Sequence, residues 1–64
     1  MAKTIKRFNN LLFHTEYLYR IRPTRWTEDK ALCLKMDDGK AARESAWLNS
    51  IGQPNEIIEV EGNH

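Results

Sequence analysis

Between its two tryptophans, Trp26 and Trp47, this chain carries its only clean alternation of apolar and polar side chains. Leu32, Leu34 and Met36 fall on one face of an extended segment, with Ala31, Cys33 and Lys35 on the other. Asp37, Asp38 and Gly39 follow, and Asp-Gly is a strong hairpin signal because both residues accept positive φ. Residues 24–48 therefore read as two neighbouring strands of a small sheet, one over 30–36 and one returning towards Trp47. The return has a rival reading. Ala, Arg and Glu in 40–48 favour helix, and Ala42, Ala46, Trp47 and Ile51 recur at helical spacing. As a strand, the same residues turn Ala42, Ala46 and Leu48 inward and Arg43, Ser45 and Trp47 outward.

The flanking chain supplies partners. Residues 4–8 alternate weakly and read as a short strand. Asn9 and Asn10 suit a tight turn, after which residues 11–14 resume apolar character. A helix over 8–19 competes, since Phe8, Leu11, Leu12 and Thr15 recur at helical spacing. Tyr17, Tyr19 and Ile21 share one face of a β-rich stretch that Pro23 ends, because proline cannot donate to a ladder. Residues 24–29 read as a connection, Gly52 and Pro54 as a break, and 56–60 as a terminal strand before a frayed tail at 61–64.

The expectation is one domain over 1–64: mainly β, a small antiparallel sheet or an SH3-like or OB-like partial barrel of about five short strands. The alternative is α+β, with a helix at about 40–51 across the sheet. With 64 residues and one cysteine, the chain has a small core and no internal disulfide. No apolar run approaches the ~20 residues of a membrane span. Cys33 alone suits a reducing, cytoplasmic setting. Unpaired edges in so small a sheet allow either a monomer or a homodimer joined by strand edges.

Catalysis and metal chemistry find few parts. Cys33, His14 and His64 are scattered, and Cys33 reads as a packed thiol in mid-strand. The pairs Glu28/Asp29 and Asp37/Asp38 read as solvated. One cysteine and two histidines do not make a zinc site. A non-enzymatic protein without cofactor or metal is the expectation.

Charge is unevenly spread. Residues 1–30 carry seven basic and three acidic side chains, and 31–64 carry three basic and six acidic. Such a dipolar surface suits a charged protein partner, or a nucleic acid held by one face. For a protein partner, Trp47, Trp26, Arg25, Arg43 and Lys35 are the candidate contacts, since Trp and Arg are enriched in binding hot spots. For a single-stranded nucleic acid, the candidates are Arg20, Arg22, Arg25, Trp26, Lys35, Arg43 and Trp47. Alternation sets Arg20 and Arg22 opposite Tyr17, Tyr19 and Ile21, so the tyrosines are expected in the core and the arginines on its solvated side.

The string Thr27-Glu28-Asp29-Lys30-Ala31-Leu32, then Asp38-Gly39, then Trp47-Leu48, resembles a pattern in small domains encoded by phages and other mobile elements. There, Glu-Thr-(Glu/Asp)-Lys-Ala leads into an apolar strand, an Asp-Gly turn follows, and a strand ends in Trp-(Ile/Leu)-Pro-Lys-Ser. The resemblance covers about a third of the chain. It implies adjacent strands over 30–36 and 45–48. It also implies a binding module that docks onto a host protein or nucleoprotein complex, as an inhibitor of a host process. This chain departs from the pattern in reading Trp47-Leu48-Asn49-Ser50, without the Pro-Lys step, and in the extra residues 40–43.

Overall fold

The structure is a computed structural model describing residues 2–60. Four antiparallel strands lie in the order β3-β2-β1-β4, with one helix. The strands are β1 (Ala2–Asn9), β2 (His14–Arg20), β3 (Arg25–Thr27) and β4 (Glu56–Val60). The helix α1 spans Asp38–Ser50. The mainly β character stands, with four strands where about five were expected, and the helix takes the place foreseen in the α+β alternative. The sheet is open, with β3 and β4 as its edges. The tail at 61–64 lies outside the described residues.

The β1–β2 hairpin forms by a route different from the expected one. Residues 11–13 do not resume a strand; with Asn10 they make the turn. Asn9 acts through its side chain, whose Oδ1 accepts from the backbone N–H of Leu11 (3.0 Å) and Leu12 (3.1 Å). The positive φ falls on Phe13, at 55°. Leu11, Leu12 and Phe13 are 90%, 62% and 80% exposed.

Residues 24–29, expected as a connection, contain β3, which pairs Tyr17 with Thr27 and Leu18 with Trp26. The strand expected over 30–36 is absent. Asp29 caps a single 3₁₀ turn at Lys30–Leu32, its side chain accepting from Ala31 N–H. Residues 33–36 then run into the gap where β1 and β2 part. Leu34 N–H donates to Leu18 O (2.7 Å), and Met36 exchanges two 2.8 Å bonds with Lys3. This stretch satisfies backbone groups of β1 and β2 that their own pairing, confined to residues 6–9 and 14–17, leaves over.

Asp37, Asp38 and Gly39 start a helix rather than a hairpin. Asp37 Oδ1 accepts from Lys40 N–H at 2.7 Å, and Asp38 stands in the first turn, where a negative charge opposes the helix dipole favourably. Aspartate serves turns and N-caps alike. The good helix formers after Gly39 decide between them here, and residues 45–48 are helical rather than a strand. At the other end Gly52 (φ 80°) takes the left-handed position, with Gln53 N–H donating to Leu48 O and Gly52 N–H to Asn49 O.

The helix buries Ala41 and Leu48, seven residues apart, against Ile5, Leu18 and Met36, with Ile21, Trp26 and Leu34 at the margin. Leu32, Ala42 and Ala46, expected inward, are exposed, whereas Leu48 is buried and Trp47 is exposed as expected; Ile51 is exposed as well. Leu34 and Met36 do face the core. The tyrosines do not. Cross-strand partners share a face, so Arg7 with Glu16 and Leu18 with Trp26 lie on the helix side with Ile5. Lys6 with Tyr17 and Phe8 with Thr15 lie on the other side. Leu18, between Tyr17 and Tyr19, is the buried residue of β2.

Phe13 holds a backbone conformation costing a bulky residue about 1–2 kcal/mol, and its side chain recovers little by packing. Phe13→Asn should therefore stabilise the protein by about 1 kcal/mol, seen as a higher urea midpoint at unchanged slope. An unchanged or lower midpoint would show that the phenyl ring supports the hairpin.

Candidate functional site

Two surfaces collect the residues that the sequence singled out, and a polar cluster on the helix side explains why they separate. Arg7 is the centre of that cluster. Its Nε donates to Glu16 Oε1 (3.0 Å) and its Nη1 to Gln53 Oε1 (2.8 Å), while its Cζ lies 4.1 Å from the centroid of the Trp26 ring. Glu16, one of the few buried polar residues, also accepts from Asn9 Nδ2 (3.4 Å) and faces His14 Nε2 at 3.0 Å. His14 Nδ1 stands 3.6 Å from Glu28 Oε2. Burial works to raise the Glu16 pKa. The hydrogen bonds from His14, Arg7 and Asn9, with the charge of Arg7, outweigh it and hold the carboxyl below its ordinary 4.5. Trp26, expected at a binding surface, is thus half-buried beneath Arg7. No local motif in the sequence marks this cluster. Its signal was present only as a parity: Arg7 and Glu16 fall on one side of their strands once the hairpin register is known.

The first candidate surface is the face of the sheet away from the helix. It carries Phe8 on β1 and Tyr17 and Tyr19 on β2; Phe8 is 56% and Tyr19 47% exposed. A shift in the β2–β3 register between Leu18 and Arg20 sets Arg20 opposite Arg25. Arg25 alternates with the inward Trp26, so both arginines stand on the tyrosine side. This corrects the expectation that Arg20 opposes Tyr17 and Tyr19. Lys35, between the core residues Leu34 and Met36, points the same way by alternation and is exposed. Among the described strand residues the register sets one carboxylate on this face, Glu56, and Lys6 pairs with it at 3.7 Å.

The second surface is a groove of about 380 Å³ between α1 and the turn after β2, lined by Ile21, Arg22, Arg43, Glu44 and Trp47. Trp47 is 49% exposed there, one helical turn from Arg43. A neighbouring depression is lined by Ile21, Arg22, Lys40 and Glu44. The sequence-predicted residues therefore divide. Arg20, Arg25 and Lys35 go to the sheet face, Arg22, Arg43 and Trp47 to the groove, and Trp26 to the helix side. Among the described residues Lys3, Lys6, Arg7 and His14 pair with carboxylates, whereas Arg20, Arg22, Arg25, Lys35, Lys40 and Arg43 make no ion pair. No three His, Cys, Asp or Glu among the described residues are grouped to hold a metal ion. No described helix is long and apolar enough to cross a membrane.

Comparison with protein-family models, with curated proteins and with solved structures returned no match.

Because the folded pKa of Glu16 is lowered, its stabilising contribution is complete above the ordinary carboxylate range and is lost as pH falls through the lowered value. Glu16→Gln should cost about 2 kcal/mol near neutral pH and flatten the loss of stability on acidification. Urea unfolding at about pH 7 and pH 3 measures both; parallel losses in the two proteins would contradict the assignment.

Proposed function

We propose that this chain is a non-enzymatic module that binds single-stranded nucleic acid across the outer face of its sheet. The observation that carries the reading is the shared placement of Phe8, Tyr19 and the half-buried Tyr17 with Arg20, Arg25 and Lys35 on the side of the sheet opposite α1. Aromatic rings on adjacent strands give bases platforms to stack on, and stacking is tolerant of sequence because every base has a π-face. Cations without protein partners are free to meet phosphates. A near-neutral net charge of +1 is compatible with this, because the cations are gathered on one side rather than spread over the domain.

Each stacked base contributes about 1–3 kcal/mol, so Tyr19→Ala should weaken binding of a short oligothymidylate about tenfold or more, with the fold intact by circular dichroism. Three phosphate contacts, from Arg20, Arg25 and Lys35, give a slope of log K against log salt of about −2. Fluorescence anisotropy in a salt series reads both quantities. Absence of binding at low salt removes the reading.

The apolar β1–β2 turn supports a second reading, docking of the hairpin tip into an apolar pocket of a protein partner. Three consecutive apolar side chains are presented to solvent there on a backbone pinned by Asn9. A partner within a nucleoprotein complex fits both readings. Leu11→Ser with Leu12→Ser leaves the core untouched and should abolish retention of a protein partner that the wild type retains. Equal retention by the two removes this reading.

A further inference from the structure

The sheet face ends at Arg20 and Arg25, but the line of unpaired cations does not. Ile21 and Arg22, the next residues along the chain, form the rim between the sheet and the groove that holds Trp47. We infer that a bound single strand continues over this rim and places a further base on Trp47, with Arg22, Lys40 and Arg43 meeting its phosphates. The inference rests on the nucleic-acid reading above and extends it to a second stacking subsite.

Three observations carry it. First, Trp47 does not serve the core. The helix is anchored by Ala41 and Leu48, and Trp47 lies half-exposed beside them and lines the groove. A half-exposed tryptophan flanked by an arginine one turn away is the side-chain pair that single-strand binders use for stacking and cation–π contact. Second, the charge is one-sided. Arg22, Lys40 and Arg43 border the groove and its neighbouring depression against the single carboxylate of Glu44, and among the described residues none of the three cations is held in an ion pair. Third, the groove adjoins the β2–β3 turn, since Ile21 and Arg22 of that turn line it. Arg20, Arg22 and Arg25 stand before, on and after that turn. At about 380 Å³ the groove is of the size that takes small ligands, ample for one base with its sugar. An acidic protein segment is the competing occupant. It would use the groove alone, with no reason for affinity to depend on what lies on the sheet face.

The test uses oligothymidylates of two lengths, about 4 and about 12 nucleotides, spanning the site sizes known for small single-strand binders. The short probe reaches the sheet face only; the long one reaches the groove as well. Trp26→Phe leaves Trp47 as the sole tryptophan, and its fluorescence should be quenched by the long probe and not by the short one. Trp47→Ala should lower affinity for the long probe about tenfold and leave the short probe unchanged. Arg43→Ala, on the exposed side of the helix, serves as a second variant and should reduce the salt slope for the long probe by about 0.7. Trp47 fluorescence unmoved by the long probe would overturn the inference, as would equal effects of the substitutions on both lengths. Failure of the short probe to bind at all would instead overturn the sheet-face reading, so the two failures are distinguishable.

Discussion

Arg7 ties together more of this molecule than any other side chain. From β1 its guanidinium binds Glu16 on β2, lies over Trp26 on β3 and donates to Gln53, in the segment that ends the helix. Three strands and the helix terminus thus meet at one planar cation, whose rigid fork and flat face allow hydrogen bonding and stacking together. Such a cluster holds only when complete, because an arginine or carboxylate left without its partner in so protected a place is strongly destabilising. Its position also decides the use of each sheet face. By drawing Trp26 to the helix side, it leaves the opposite side to Phe8, Tyr17 and Tyr19.

The core that remains is small, namely Ile5, Leu18, Met36, Ala41 and Leu48, with no aromatic residue fully inside. A chain this short was expected to need its tyrosines for packing. It manages otherwise by wedging residues 33–36 between β1 and β2, where the backbone of Lys3 and Leu18 finds partners and Met36 fills the interior. Phe8 and Tyr19, so released, stand about half in water, and Tyr17 is half-buried. Exposed rings beside unpaired arginines, and a phenylalanine at positive φ on an exposed turn, are features that stability alone does not favour. They motivate the reading of the protein as a binding module.

Much of the strand layout was legible. Residues 4–8 and 56–60 read as strands, and both lie in strands. Residues 17–20 are extended as expected, but their facing is the reverse of the expected one, because Tyr17-Leu18-Tyr19 supports either parity and only the pairing register chooses. Residues 30–36 have the right parity at Leu34 and Met36 yet form no regular strand, since Asp29 caps a 3₁₀ turn at Lys30–Leu32 and residues 33–36 reach the sheet through Leu34 at Leu18 and Met36 at Lys3. The strand pair implied by the mobile-element pattern is likewise not formed: its second member is helical. Of the candidate site, the arginine cluster and Trp47 were visible as composition. Phe8 and the tyrosine face were not, because a bulge between Leu18 and Arg20 sets the side on which Arg20 stands.

The sequence by itself determined a mainly β fold with a charge-split surface, because alternation and turn residues act locally. Asp37 as a helix cap, Gly52 as its terminator and Asn9 as a turn former are local chemistry of the same kind. Only the tertiary structure decided which face of the sheet the helix covers, and with it which aromatics are buried. That choice belongs to long-range contacts, the Arg7 cluster and the Met36 wedge, which join residues up to forty-six positions apart. In a two-sided sheet with apolar residues on both sides, no local preference outweighs them.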